Sequence, residues 1–316
     1  MTEVSKPFPL FRLPAIPLKM INRYLNLEDI LLISMASKKS AFIMKSLLPP
    51  NCFHLEFHLS EKSEISLCTK GLWNPMIVKC EKTGQIYELK IAQDNGVITH
   101  WCTSPDLKAI VIALLSHFAL VFNPSITINF GYFCNQEFIM GVLNHVKQLN
   151  LVKKLIYLTP VFMSSENYEH ILEQCKEVSE LWLHCETSLN FEYRAGPDFR
   201  MGYLYVKDGH WMHLEDFMNC KRVSVWNSTG HEQPKYTNPV VLRAFIRKWI
   251  ESECRLQHLE TYGGRVRIDF GEVLSGLEYR TIEQREYTYS VEITRRCDGK
   301  KAIVTFGTYN FEIVIN

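Results

Sequence analysis

The sequence has almost no excess charge of either sign. Its 35 lysines and arginines stand against 34 aspartates and glutamates, leaving a formal net charge of +1. A nucleic-acid-binding domain needs a basic field to neutralise phosphates, so nucleic acid is not an expected partner. No block of like charge marks an interaction tail. Long apolar runs are also missing. The longest, 109–122, contains Ser116 and His117. It falls short of the roughly 20 residues that cross a bilayer and reads as a buried core helix. The first ten residues lack the charged-then-apolar order of a secretory signal, and the last four, 313–316, carry no prenylation motif. No membrane partner is expected, and the expected location is intracellular, in the cytoplasm or nucleus.

Catalytic and metal-binding signatures are equally scarce. None of the ten cysteines belongs to a C-x-x-C pair, which removes the usual structural zinc and thioredoxin-like spacings. Reduced, mostly buried thiols are expected instead. There is no phosphate-binding glycine loop, no H-E-x-x-H and no G-x-S-x-G. His54 and His58 are four apart, a metal-binding spacing on a helix, but the alternation of 52–59 says strand, which separates them. Cys297 follows Arg295 and Arg296, the cationic neighbourhood that activates a thiol; the adjacent Asp298-Gly299 turn explains those residues equally well. His213 and Asp216 read as a solvated pair on a short helix. The expectation is a non-enzymatic chain with no cofactor, no metal and no catalytic residue.

Residues 8–48 form a separate block. Pro14 and Pro17 punctuate its start, and Leu18, Ile21 and Leu25 recur at helical spacing. Asn26 is placed to cap a second helix, with Glu28 and Asp29 in its first turn. Ser37 or Ser40 starts a third, carrying Phe42, Ile43, Leu47 and Leu48. Pro49-Pro50 cannot continue a helix and marks a boundary between 1–50 and 51–316. Residues 51–101 look β-rich, with a hairpin turn at Glu81-Lys82-Thr83-Gly84. From 104 on, helices are expected at 104–122 (Pro105 in first position), 135–149, 164–175, 211–219 and 238–254. Strands are expected at 125–130, 154–158, 178–184, 222–226 and 256–261. The strands recur every twenty to thirty-five residues or so, as in a leucine-rich repeat. Cys175-Lys176-Glu177-Val178-Ser179 echoes Cys220-Lys221-Arg222-Val223-Ser224. Four further strands, 278–282, 287–295, 302–306 and 311–315, suit an antiparallel sheet closing the stack, with a turn at Asp298-Gly299.

The first block resembles an F-box. The residues that carry the likeness are Phe8-Pro9-Leu10-Phe11-Arg12-Leu13-Pro14, then Leu18, Ile21, Leu25, Asp29-Ile30-Leu31-Leu32, Ile33-Ser34 and Ser37-Lys38-Lys39-Ser40. It departs where many F-boxes have tryptophan, since Phe42 and Ile43 stand there. About forty residues cannot bury enough surface to stand alone, so some of their apolar side chains must meet a partner. The resemblance implies that Leu13, Pro14, Leu18, Ile21, Leu25, Leu32 and Ile33 serve either the block's core or contact with a Skp-family adaptor, and through it a cullin. Residues 203–262 are similar to the type 2 F-box-associated region of the nematode F-box family. There the residues are His210-Trp211-Met212-His213-Leu214-Glu215-Asp216-Phe217, Asn219 to Ser228, and Leu242 to Ile250 before Leu256-Gln257-His258-Leu259-Glu260.

The fold class expected is mixed α+β and α/β: a small N-terminal helical F-box, then a leucine-rich-repeat-like α/β domain ending in antiparallel strands. The function implied is the substrate-recognition subunit of an SCF-type ubiquitin ligase, acting on a protein target. The alternative is an F-box scaffold outside any cullin ligase. On the repeat strands, alternation sends Leu181, Leu183, Val223 and Val225 inward and Trp182, His184, Ser224 and Trp226 outward. Trp182 and Trp226 are the candidate target-binding residues.

Overall fold

The structure, a computed structural model, describes residues 10–69, 75–92, 98–227, 235–263 and 267–315. Phe8 and Pro9 of the F-box-like segment lie outside them. The chain is mixed α/β and divides into two compact units, 1–128 with 141–152, and 129–140 with 153–316.

The first unit opens with α1 (Ala15–Asn22), α2 (Leu27–Met35) and α3 (Lys38–Leu47). Their starts follow from capping chemistry. The Asn26 side chain accepts from the Asp29 backbone N–H at 2.7 Å, and Asp29 accepts from the Asn26 N–H at 3.4 Å. This reciprocal pair satisfies two donors that a helix start leaves open. Ser37, one of the two residues expected to begin α3, accepts from the Ser40 N–H at 3.1 Å. α3 ends before Pro49-Pro50, as the fixed proline φ requires.

After the helices come β1 (Phe53–Leu59), β2 (Lys62–Thr69), β3 (Met76–Thr83), β4 (Ile86–Ala92) and β5 (Ile98–Ser104). They form an antiparallel meander in sequence order. Gly84, at φ +67°, closes the β3–β4 turn where a side chain would be strained. Along β1, Phe53, Leu55, Phe57 and Leu59 are buried. His54 and His58 share the opposite face with Glu56, whose carboxylate lies 3.4 and 3.8 Å from their rings. The remaining elements here are α4 (Leu107–Phe122), β6 (Ser125–Phe130), which lies beside β1, and α5 (Gln136–Gln148). The apolar run 109–122 is indeed α4, a buried helix whose Phe118 and Phe122 rings pack on each other, with Phe53 edge-on to Phe122 at 5.2 Å. Its start differs from expectation. Asp106 is the cap, accepting from Lys108 and Ala109 N–H at 2.8 and 3.2 Å, so Pro105 precedes the helix. A carboxylate that satisfies two open donors outweighs the preference for proline at the first turn.

The second unit holds β7 (Lys153–Leu158), α6 (Ser165–Cys175), β8 (Glu180–Leu183), β9 (Tyr203–Val206), β10 (Arg222–Trp226), α7 (Pro239–Glu251), β11 (His258–Tyr262), α8 (Phe270–Leu274), β12 (Arg280–Gln284), β13 (Tyr289–Thr294), β14 (Lys301–Phe306) and β15 (Asn310–Ile315). β7 to β11 run parallel in chain order. β15 joins β11 antiparallel, and β14, β13 and β12 follow. The final strands thus extend the parallel array where the sequence placed them.

Register makes the core of this unit. Ile156, Leu181, Leu204, Val223, Leu259 and Ile313 are successive Cα partners, as are Leu158, Leu183, Val206, Val225, Thr261 and Phe311. All twelve are buried. Each large aliphatic in these rows contributes about 1.5–3 kcal/mol by leaving water. A slip of one residue would turn a whole strand outward, so the pattern fixes the pairing. Buried residues of α6 (Tyr168, Ile171, Leu172) and α7 (Leu242, Phe245, Ile246, Trp249) add to this core. The helix expected at 211–219 shrinks to a 3₁₀ turn, Leu214–Phe217, with Trp211 fully buried ahead of it.

Candidate protein-binding surfaces

The rows that build the core also build the opposite face of the parallel sheet. Between the two buried rows runs a third set of Cα partners: Tyr157, Trp182, Tyr205, Ser224, Glu260 and Glu312. One step earlier come Glu180, Tyr203, Arg222 and His258, and one step later Trp226 and Tyr262. Strand alternation puts all of these on one side.

The rings pack into two groups on this face. Trp182 stacks on Tyr205 at 5.1 Å and meets Tyr203 edge-on at 5.1 Å. His184, just past β8, stacks on Tyr205 at 4.6 Å and lies 4.8 Å from Tyr157. Trp226 and Tyr262 pair at 5.0 Å, and both are exposed. Arg222 lies over the Tyr203 ring at 5.0 Å, a cation–π contact. Offset and edge-on ring pairs are favourable beyond the area they bury, so neighbouring rings stabilise one another within each group. Trp182 and Trp226 therefore share a face but do not touch: Tyr205 and Ser224 stand between them in the register. Tyr157, Tyr203, Tyr205 and Tyr262 were not among the expected contact residues. Tyr203-Leu204-Tyr205-Val206 alternates aromatic and aliphatic side chains, and that signal was available in the sequence.

Burial holds the His184 imidazole below its usual range, with the Lys207 ammonium acting in the same direction. His117 in the first unit is lowered by burial alone. Its Nε2 lies 2.7 Å from Ser34 Oγ, and Ser34 donates to the Leu31 carbonyl, so His117 is the donor joining α4 to α2. Both rings resist protonation when folded. Below their ordinary value near 6.5 the unfolded chain takes up protons that the folded chain refuses, so stability falls with pH. Urea midpoints should decline from pH 7 to pH 5, and a His117→Gln/His184→Gln variant should decline less over the same interval.

The second surface lies on the N-terminal helices. Ile16 and Met20 of α1 and Tyr24 just beyond it are spaced by four and occupy one face, with 74%, 57% and 87% of their surface exposed. Phe42 on α3 is 59% exposed, and Leu32 on α2 is also exposed. The residues named for adaptor contact divide between core and surface. Leu18 is buried, Pro14 and Leu32 are exposed, and Leu13, Ile21, Leu25 and Ile33 are half-buried. Leu18 lies on the opposite side of α1 from Ile16 and Met20, which is why it faces the core. Ile16, Met20 and Tyr24 were not picked out by the motif. A wheel drawn for 15–24 with Leu18 inward would have put them outside.

Other arrangements have structural explanations. Asp216 forms a two-point ion pair with Arg194, at 2.6 and 2.8 Å, and His213 faces Glu192 at 3.4 Å, so the two make no dyad. Arg295, read as a cation beside Cys297, is buried and clamps Asp298 at 2.6 and 2.8 Å while lying over Trp249. Its charge is engaged with a carboxylate rather than with the thiol. Burial pushes the thiols of Cys175, Cys185 and Cys220 up to about 12, which leaves them protonated and unreactive at neutral pH. Asp208 and His210 are buried with 3.2 Å between carboxylate and ring, and the Asp208 carbonyl accepts from Trp211 Nε1 at 3.1 Å. They secure the turn after β9. Among the described residues no group of three or more His, Cys, Asp or Glu could hold a metal ion. Nor is any described helix long and apolar enough to cross a membrane.

Comparison with known proteins gives one point of contact. No family model matches the chain, and no solved structure matches it. The chain is 27% identical over 191 residues to a Skn-1 dependent zygotic transcript 15 protein of Caenorhabditis elegans. The aligned part is 57% of this chain and 52% of that protein, so the chain spans about half the length of this curated relative. A distant likeness to a nematode protein is what these comparisons establish.

Proposed function

We propose that this chain is the substrate-recruiting subunit of an SCF-type cullin ubiquitin ligase, and is not itself an enzyme. In this reading α1 to α3 act as an F-box, docking on a Skp-family adaptor through Ile16, Met20, Tyr24 and their neighbours. The repeat-like array β7 to β11 holds a protein target on its aromatic face. The ligase gains rate by proximity, because tethering raises the local concentration of the target's lysines near a ubiquitin-charged enzyme.

The observation that carries the reading is the exposed apolar stripe on α1, beside the F-box-like order of Leu13-Pro14, Leu18, Ile21, Leu25 and Asp29 to Ser34. Apolar side chains of this size grouped on one helix face mark a docking surface. Aromatic side chains grouped on the face of β7 to β11 are the composition favoured in binding hot spots. The likeness to a nematode protein is consistent with the nematode F-box resemblance of 203–262.

Co-purification tests it. The native chain is expected to bring down both a Skp-family adaptor and a cullin. A Leu13→Ala/Pro14→Ala chain is expected to bring down much less of each while keeping its circular dichroism. Adaptor without cullin would replace the ligase reading with that of a scaffold. Neither partner would reduce α1 to α3 to a helical cap.

A further inference from the structure

We propose that a second copy of this chain docks on the loops that leave the carboxyl ends of β6, β7 and β8, so that two copies pair about a two-fold axis. Tyr132 and Phe133 lie in the loop after β6, Val161 and Phe162 in the loop after β7, and Leu189 in the loop after β8. Each keeps more than half of its surface exposed, from 51% at Phe162 to 70% at Tyr132. Hydrogen bonds tie these loops to one another. Thr159 donates from both its N–H and its hydroxyl to the Phe130 carbonyl, at 3.0 and 2.7 Å. The Gln136 side chain accepts from the Ser164 N–H at 3.0 Å. Phe162 and Glu186 form a parallel bridge, and the Glu186 N–H donates to the Val161 carbonyl at 3.1 Å. Near the exposed side chains, Cys134, Pro160, Met163, Cys185 and Thr187 are buried. The loops are thus anchored, which lowers the ordering cost of docking on them.

Apolar side chains exposed singly are ordinary, but five on three joined loops mark an interaction site. A large aromatic side chain buries about 150–250 Å², so at these exposures the five leave on the order of 500 Å² in water. Two such surfaces face to face cover about 1,000 Å², the size at which specific interfaces begin. The charge pattern favours a copy of the chain over a different protein. Across 131–134, 159–163 and 184–190 the one acid is Glu186, and there is no lysine or arginine. A partner selected by charge has little to read there, whereas homodimer interfaces are the more apolar class. The whole chain carries a net charge of +1, so two copies do not repel each other strongly. In a two-fold pair the same patch serves on both sides, so no second surface has to be found. Neither the aromatic groups nor the α1 stripe contains any of the five, so this pairing is independent of the ligase reading.

Sedimentation velocity on the full-length chain, without adaptor, tests it. The native chain should pass from the mass of one chain to that of two between about 1 and 100 μM, an affinity suited to an interface of this size. Phe133→Asp/Phe162→Asp should stay a single chain throughout, with unchanged circular dichroism, because both side chains are more than half exposed. Tyr132→Lys/Leu189→Lys, a second pair of changes with the opposite charge, should also stay single. Trp226→Ala, which leaves the loops untouched, should pair as the native chain does. A native chain that stays single up to about 100 μM would overturn the proposal. So would either loop variant pairing as the native chain does, or native masses that grow past two chains without a plateau. A single native chain whose adaptor binding falls in Phe133→Asp/Phe162→Asp would overturn it too, and would assign the loops to the adaptor.

Discussion

Trp211→Ala is expected to destabilise the second unit by about 3–5 kcal/mol, the range for removing a fully buried large aromatic. Trp211 has no exposed surface. Its ring meets Tyr168 at 5.6 Å, Phe191 at 5.4 Å, Tyr193 at 6.0 Å and Phe217 at 6.0 Å, each edge-on. Truncation leaves a void bordered by four rings that are themselves fixed by other neighbours, so little collapse can fill it. It also strips the Asp208 carbonyl of the donor it has at 3.1 Å, and an orphaned buried acceptor adds its own penalty. A domain of this kind holds only about 5–15 kcal/mol in total, so the variant is expected to be partly unfolded at 37 °C. Trp226→Ala is the matched control, because Trp226 pairs with Tyr262 at the surface and is 37% exposed where Trp211 is fully buried. It should cost no more than about 1 kcal/mol. Urea unfolding followed by far-ultraviolet circular dichroism measures both, and equal losses would place Trp211 outside the core.

This contrast shows how far the sequence could be read. Elements with strong periodicity or explicit capping residues were legible: the helix starts at Asn26 and Ser37, the buried run of α4, and the parallel strands β7, β8, β10 and β11. Alternation assigned Leu181, Leu183, Val223 and Val225 to the core and Trp182 and Trp226 to the other face, and the structure places them so; Ser224, also sent outward, lies on that face but is buried under the Tyr203 hydroxyl. β9 was missed. Its alternation is present in the sequence, but no helix separates it from β8, so the helix-then-strand outline of the repeat does not point to it. With it went Tyr203 and Tyr205, the two rings that pack most closely on Trp182.

The N-terminal block was legible in a different sense. Spacing located its helices, and the F-box resemblance supplied a role, but neither said which apolar residues face outward. That depends on which face of α1 the neighbouring helix covers, a tertiary fact. Leu18 went inside, and Ile16, Met20 and Tyr24 stayed outside. The three carry little propensity signal of their own, and their grouping is visible only once Leu18 is placed. Trp211 is a similar case. The segment around it reads as a helix, but its burial beneath Tyr168 and Phe191 depends on residues distant in sequence.

The second large effect concerns this α1 stripe. Met20→Asp/Tyr24→Asp is expected to weaken adaptor binding at least about 100-fold, since two central apolar anchors typically contribute about 3 kcal/mol or more between them. The same change should leave stability within about 0.5 kcal/mol, because both side chains are more than half exposed. Leu18→Asp on the opposite side should instead unfold the block, by placing a charge in its core.

Calorimetric titration of a purified Skp-family adaptor into the full-length chain, native beside Met20→Asp/Tyr24→Asp, tests the central claim most directly. The account predicts saturable binding by the native chain and none measurable by the variant, at the same thermal midpoint. Heat indistinguishable from dilution with the native chain, or equal affinity for both chains, would contradict it.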